Sequence, residues 1–246
     1  MKQILTIFSF FIFTALSFGQ APEYDDLKVL YADGNYPKLV KSAERYTLKD
    51  ATKKDILPYI WLSKGLYKIS LSGTDDDNFK NAYKDAIKHL GKGMKYDLKY
   101  NAGATIAEES EFISLFQASL FEVINNELSS GSFKRGKGWA IKYIKVTQNS
   151  IGAKYVLGAC AYYDGDKPGA RTKWQEGDKL LSEIESLDGW SEADRNMLKY
   201  GILYSAAALK KSRQGDKAKA LVGKVAQWFE SDEDWQELYD SIVNGV

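Results

Sequence analysis

The chain has 246 residues, with 34 basic and 33 acidic side chains, one histidine and one cysteine. That balance excludes the basic excess of a nucleic-acid binder. Only five of the basic residues are Arg (Arg45, Arg135, Arg171, Arg195, Arg213), which also speaks against phosphate recognition by bidentate guanidinium groups. A lone cysteine excludes an internal disulfide, so stability must come from packing.

The amino terminus reads as a secretory signal peptide over residues 1–19. Lys2 supplies a positive start, Ile4 to Leu16 is an apolar run, and Ser17 and Gly19 are small residues before a cut at Gln20. The run is about 13 residues, short of the roughly 20 that span a bilayer. The stretch Leu16-Ser-Phe-Gly-Gln20 resembles signal-peptide ends common in Bacteroidota, which implies a Gram-negative envelope. No cysteine lies near the cut to carry a lipid, and Cys160 reads as a small buried hydrophobe. The remaining 20–246 are expected to form one exported, periplasmic, unlipidated domain with no transmembrane segment after cleavage. Losing Lys2 leaves it with no net charge.

From there on the apolar spacing is helical, as in Ile56, Tyr59, Ile60, Leu66 and Tyr67, and strand-like alternation is nearly absent. Pro37, Pro58 and Pro168 fall at candidate helix starts, where a missing N–H costs little. A turn followed by a helix then recurs in chain order. It occurs as Gly34-Asn-Tyr36, Asp77-Asn-Phe79-x-x-Ala82, Gly131-Ser-Phe133-x-x-Gly136, Gly165-Asp-Lys167-x-x-Ala170 and Gly215-Asp-Lys217-x-x-Ala220. Four residues further on stand Ala43, Ala86, Ala140, Trp174 and Lys224, the last a departure from a small or apolar residue. Glycine ends one helix in a left-handed turn, and the small residue lets the next helix approach closely. No such pair buries its apolar face alone, so neighbours must stack.

The pattern resembles the tetratricopeptide repeat. The fifth unit matches over Tyr204, Ala207, Ala208, Gly215 and Ala220, the fourth over Tyr155, Gly158, Ala161, Gly165 and Ala170, and the second over Trp61, Gly65, Phe79, Ala82 and Ala86. The first and third have Leu39 and Gly136 where alanine is usual. The turns lie 43, 54, 34 and 50 residues apart, and only one gap equals the family period. Segments such as Ser72 to Asn78 and Leu187 to Ser191 read as insertions. The resemblance implies an all-α fold: a right-handed α-solenoid of about five helix pairs. Asp232 to Val243 is an amphipathic segment suited to cap the last pair.

No side-chain constellation points to catalysis, a metal or a cofactor. His89, the only histidine, sits mid-helix without metal-ligand spacing around it. Asp75-Asp76-Asp77-Asn78 reads as helix capping, and Glu108, Glu109 and Glu111 read as first-turn carboxylates. An acid/base role for that glutamate group is the third choice. Charge is segregated instead. Lys80, Lys84, Lys88, Lys92, Lys95 and Lys99 form a stripe at helical spacing, and Lys134, Arg135, Lys137, Lys142 and Lys145 form a second basic segment. Glu230, Asp232, Glu233, Asp234, Glu237 and Asp240 crowd the carboxyl end. In the repeat family, first helices line a groove that holds peptides. The partner-binding candidates are therefore Tyr59, Tyr155, Tyr162 and Tyr200, with Lys84, Lys88, Lys92 and Lys95 for polar docking. The expected function is a non-enzymatic scaffold or adaptor in the envelope. It would bind an envelope protein or peptide and no nucleic acid, within a secretion or outer-membrane assembly complex. A periplasmic binder of small ligands, glycans or peptidoglycan stays open beside it.

Overall fold

A computed structural model describes residues 23–244. The expected signal peptide and the cut before Gln20 lie outside them. Among the described residues the chain forms twelve α-helices and no strand. They are α1 (Asp25–Ala32), α2 (Tyr36–Leu48), α3 (Ile56–Ser72), α4 (Ala82–Tyr100), α5 (Ala104–Glu108), α6 (Ser110–Ser129), α7 (Phe133–Tyr143), α8 (Ile151–Tyr163), α9 (Lys167–Leu181), α10 (Glu192–Lys211), α11 (Gly215–Gly223) and α12 (Glu233–Val243). Five consecutive pairs, α1–α2, α3–α4, α6–α7, α8–α9 and α10–α11, precede a closing α12, and the fold is an all-α helical repeat. No helix among the described residues is long and apolar enough to cross a membrane.

Four of the five pairs are joined by one turn, built the same way each time. A single residue is left-handed: Gly34 (φ 69°), Gly131 (φ 73°), Gly165 (φ 89°) and Arg213 (φ 59°). Its amide donates to the carbonyl three residues back, as Gly165 does to Tyr162 O at 3.1 Å and Arg213 to Lys210 O at 3.0 Å. The next amide donates five residues back, as Asp166 does to Ala161 O at 2.9 Å and Gln214 to Leu209 O at 3.0 Å. This is the Schellman closure of a helix, which satisfies carbonyls that would otherwise lose their partners. Asn35 and Asp166 then cap the following helix, accepting from Lys38 N at 3.3 Å and Gly169 N at 2.8 Å.

These turns correct the register of the fifth unit. Its left-handed residue is Arg213, while Gly215 is already the first residue of α11. Counted from Arg213, the close-approach positions are Ala218 and Val222, both fully buried. Ala220 and Lys224, expected there, are exposed. The irregular Lys224 thus disappears, because the unit starts two residues earlier. In the other units Leu39, Ala43, Ala82, Ala86, Gly136, Ala140 and Ala170 are buried, and Trp174 is half-buried. The second turn differs in kind. Its chain runs from Gly73 through a 3-10 turn at Asp77–Phe79, where the Asp76 carboxylate accepts from Asn78 N at 2.9 Å.

The pairs stack through two continuous sets of buried apolar side chains. One extends from Tyr24 and Leu27 to Ala193 and Met197, the other from Ile151 and Tyr155 to Ile242, and α8 and α10 contribute to both. The tightest crossing is between α8 and α10. A Cβ on Gly152 would lie 2.3 Å from the backbone of Met197 and Leu198, and one on Gly201 would lie 2.5 Å from Gly152 O. The two backbones therefore touch where no side chain fits. α10 also packs on α6, with the Phe121 and Tyr200 rings 5.7 Å apart. The fifth pair thus reaches the third, a departure from stacking in which each repeat meets only its neighbours.

Candidate functional site

The fourth and fifth pairs are joined through their first helices, and their second helices, α9 and α11, leave a cleft of about 540 Å³ between them. Helical spacing puts Lys167, Arg171, Trp174 and Asp178 on one face of α9, and Lys217 and Leu221 on the facing side of α11, with Lys224 just past its end. Trp174 lies directly on α8, where a Cβ on Gly158 would come within 2.3 Å of its indole. Its Nε1–H donates to Ser205 Oγ at 2.8 Å, and Ser205 donates in turn to Tyr155 O at 3.0 Å. The indole is thereby fixed to both first helices. The Tyr162 ring stands 6.3 Å from it, tilted by 30°. Together they give the cleft a preformed aromatic wall.

The electrostatics are one-sided. Four cations, Lys167, Arg171, Lys217 and Lys224, face one carboxylate, Asp178. Asp178 Oδ1 is already taken, accepting from the Tyr155 hydroxyl at 2.6 Å and from Lys224 Nζ at 2.7 Å. Lys217 donates to Gln214 Oε1 at 2.9 Å. The side chains of Lys167 and Arg171 have no hydrogen bond or ion pair among the described residues. Burial, reinforced by the Asp178 charge, holds the Tyr155 hydroxyl in its neutral form far above the usual phenol range. It acts as a fixed donor. Chemically, cations on a rigid aromatic wall can hold an anionic group attached to an apolar or planar one.

The sequence matches no protein-family model and no curated protein.

The structure brings two of the expected partner-binding tyrosines to this cleft. Tyr162 lines it with a half-buried ring. Tyr155 is fully buried beneath it, so its ring offers no contact surface and its part is to anchor Asp178. Tyr59 corrects the expectation more sharply. It is 1% exposed, its hydroxyl donates to Lys53 O at 2.8 Å, and its ring packs on His89 and Tyr96 in the interior of the second pair. Tyr200 is half-buried under the start of α12, donating to Asp234 Oδ2 at 3.2 Å. Lys84, Lys88, Lys92 and Lys95 are exposed along α4, far along the chain from the cleft. Lys92 lies 5.1 Å from the Tyr59 ring centroid and 5.7 Å from that of Tyr96.

Glu109, His89 and Cys160 are held in structural surroundings. Glu109 is paired with Lys64 of α3 at 2.7 Å, which ties the third pair to the second. Glu108 and Glu111 lie at the rim of a smaller hollow beside it. His89 is half-buried, stacked at 6.5 Å on Tyr59, and burial followed by the Lys88 charge lowers its pKa. Burial pushes the Cys160 thiol up to about 12. No three His, Cys, Asp or Glu side chains among the described residues are grouped to hold a metal ion. The sequence signal that would have found the cleft is the four–three–four spacing of Lys167, Arg171, Trp174 and Asp178 on α9.

Proposed function

We infer that this protein is a non-enzymatic binding scaffold of the cell envelope, and that it holds an acidic segment of a partner protein in the cleft between its fourth and fifth helix pairs. The placement in the envelope rests on the amino-terminal pattern of Lys2, the apolar run to Leu16 and the small residues Ser17 and Gly19. The tetratricopeptide-like reading of the repeat rests on the shared turn and its buried small residues. The observation that carries the function is the uncompensated charge of Lys167 and Arg171 beside Trp174 and Tyr162. An extended acidic peptide would place a carboxylate on Arg171 in a bidentate pair and an apolar side chain on the indole.

The test is crosslinking in cells from a photoreactive residue at position 175, followed by pull-down and mass spectrometry. The expected result is a small stoichiometric set of envelope proteins, lost in the double variant Arg171→Glu, Lys217→Glu. Recovery of the same proteins with that variant would sink the reading. A second reading, binding of an anionic glycan or peptidoglycan fragment, is favoured by one observation: the cleft volume lies within the range of roughly 300–1,000 Å³ typical of small-ligand sites. Calorimetric heat with muropeptides, together with no protein partner above background, would decide for it.

A further inference from the structure

We propose that copies of this chain associate head to tail, with the acidic face of α12 in one copy docked on the lysine face of α4 in the next. Lys88, Lys92 and Lys95 are exposed on α4, and none has an ion pair among the described residues. The positive field continues onto α7. Burial lowers the pKa of Lys142 there, and the neighbouring charges of Lys84 and Lys145 lower it further. On α12, Glu233, Glu237 and Asp240 are exposed. The carboxylates of Glu233 and Glu237 have no partner within the described residues, and the Asp240 carboxylate accepts only from Asn244 Nδ2 at 2.8 Å.

The two faces match in length as well as in sign. Each carries three like charges over eight residues at four- and three-residue spacing, about 10 Å of helix, so three pairs can form together. An exposed leucine flanks each: Leu98 at 53% exposure near Lys95, and Leu238 at 41% beside Glu237. The whole chain is almost neutral, with 34 basic against 33 acidic residues, so each face is a local concentration of one sign and not part of a general excess. An anionic membrane surface would answer the basic face and repel the acidic one. A second copy answers both. Because the contact joins two different faces, each added copy leaves a free face of either kind, and the assembly grows as an open row or closes as a ring. One helix against another is a small interface, so the association is weak and strongly salt-dependent.

Sedimentation equilibrium of the purified protein tests this. In about 20 mM salt the mean mass should rise with concentration, and in about 500 mM salt the association should weaken on the order of tenfold or more. Lys88→Glu, Lys92→Glu, Lys95→Glu should abolish it alone, and so should Glu233→Lys, Glu237→Lys, Asp240→Lys. An equimolar mixture of the two variants should associate again, because each then offers the other a complementary pair. Lysine at position 233 opposes the α12 dipole. The milder set Glu233→Gln, Glu237→Gln, Asp240→Asn is therefore measured alongside, with far-UV circular dichroism confirming unchanged helix content, and it too should weaken association. A wild-type protein that stays monomeric at about 200 μM in low salt overturns the proposal. So does association that survives the lysine reversal or the neutral set.

Discussion

His89 shows how a residue that reads as a lone titratable group becomes a structural one. Its ring is half-buried against Tyr59, its Nδ1 has no hydrogen-bond partner, and Lys88 stands next to it in sequence. Burial and that neighbouring charge both disfavour the imidazolium, so its pKa in the folded protein is lowered from 6.5. The unfolded chain then binds more protons than the folded one between the lowered value and 6.5. The resulting stability is fully present above pH 6.5 and is lost as the pH falls below it. We expect the urea midpoint to drop between pH 7.5 and pH 5.5, and His89→Gln to remove most of that drop. An unchanged drop in the variant would place the pH dependence elsewhere. Asp194 acts with the opposite sign. Burial raises its pKa from 3.8, although it accepts from Tyr143 and Thr147 at 2.8 and 2.7 Å. None of these partners was legible in the sequence, since Tyr143 and Asp194 are 51 residues apart. Burial is decided by neighbours that only the fold supplies. This is also why Tyr59, one of the tyrosines offered as a groove residue, turns out to be core.

At the scale of the element, the repeat was legible because its turn is a local device. A left-handed residue, a cap and a small side chain lie within ten residues of one another, and glycine announces the first of them in three units. Where an arginine takes the left-handed position, the signal moves to the nearest glycine, and the fifth unit is read two residues late. The Arg213 conformation costs about 1 kcal/mol relative to glycine there, partly offset by glycine's greater freedom in the unfolded chain. Arg213→Gly should therefore stabilise the protein by about 0.5 kcal/mol, read as a higher denaturant midpoint at constant slope. Gly215 provides the contrast. It is helical, with nothing within 4 Å of an added Cβ, so Gly215→Ala should stabilise as well, by about 0.5 kcal/mol. If Gly215 were the left-handed residue, alanine there would destabilise instead. Loss of stability in Gly215→Ala would restore the later register.

At the scale of the whole molecule, what the sequence concealed is how the pairs meet. The cleft exists because the fourth and fifth pairs join through α8 and α10 while α9 and α11 stay apart, and no periodicity along either helix reports that. The joint depends on Gly152 and Gly201, which in sequence look like two unremarkable helical glycines. A Cβ on Gly152 would stand 2.3 Å from the backbone of Met197 and Leu198, and backbone cannot swing aside as a flexible side chain does. Gly152→Ala should cost about 3 kcal/mol or more, the upper end of overpacking penalties. Its effect should also be regional, since each repeat is stabilised mainly through its interfaces. Native-state hydrogen exchange should show amides of α10, α11 and α12 losing protection, while those of α2, α3 and α4 keep theirs. The same variant should lose the cleft, because Trp174 is held by Ser205 on the displaced helix. A uniform loss of protection from α2 to α12 would instead mean that the chain unfolds as one cooperative body. The contact of α10 with α6 would then have to be counted as strong as the joint to α8.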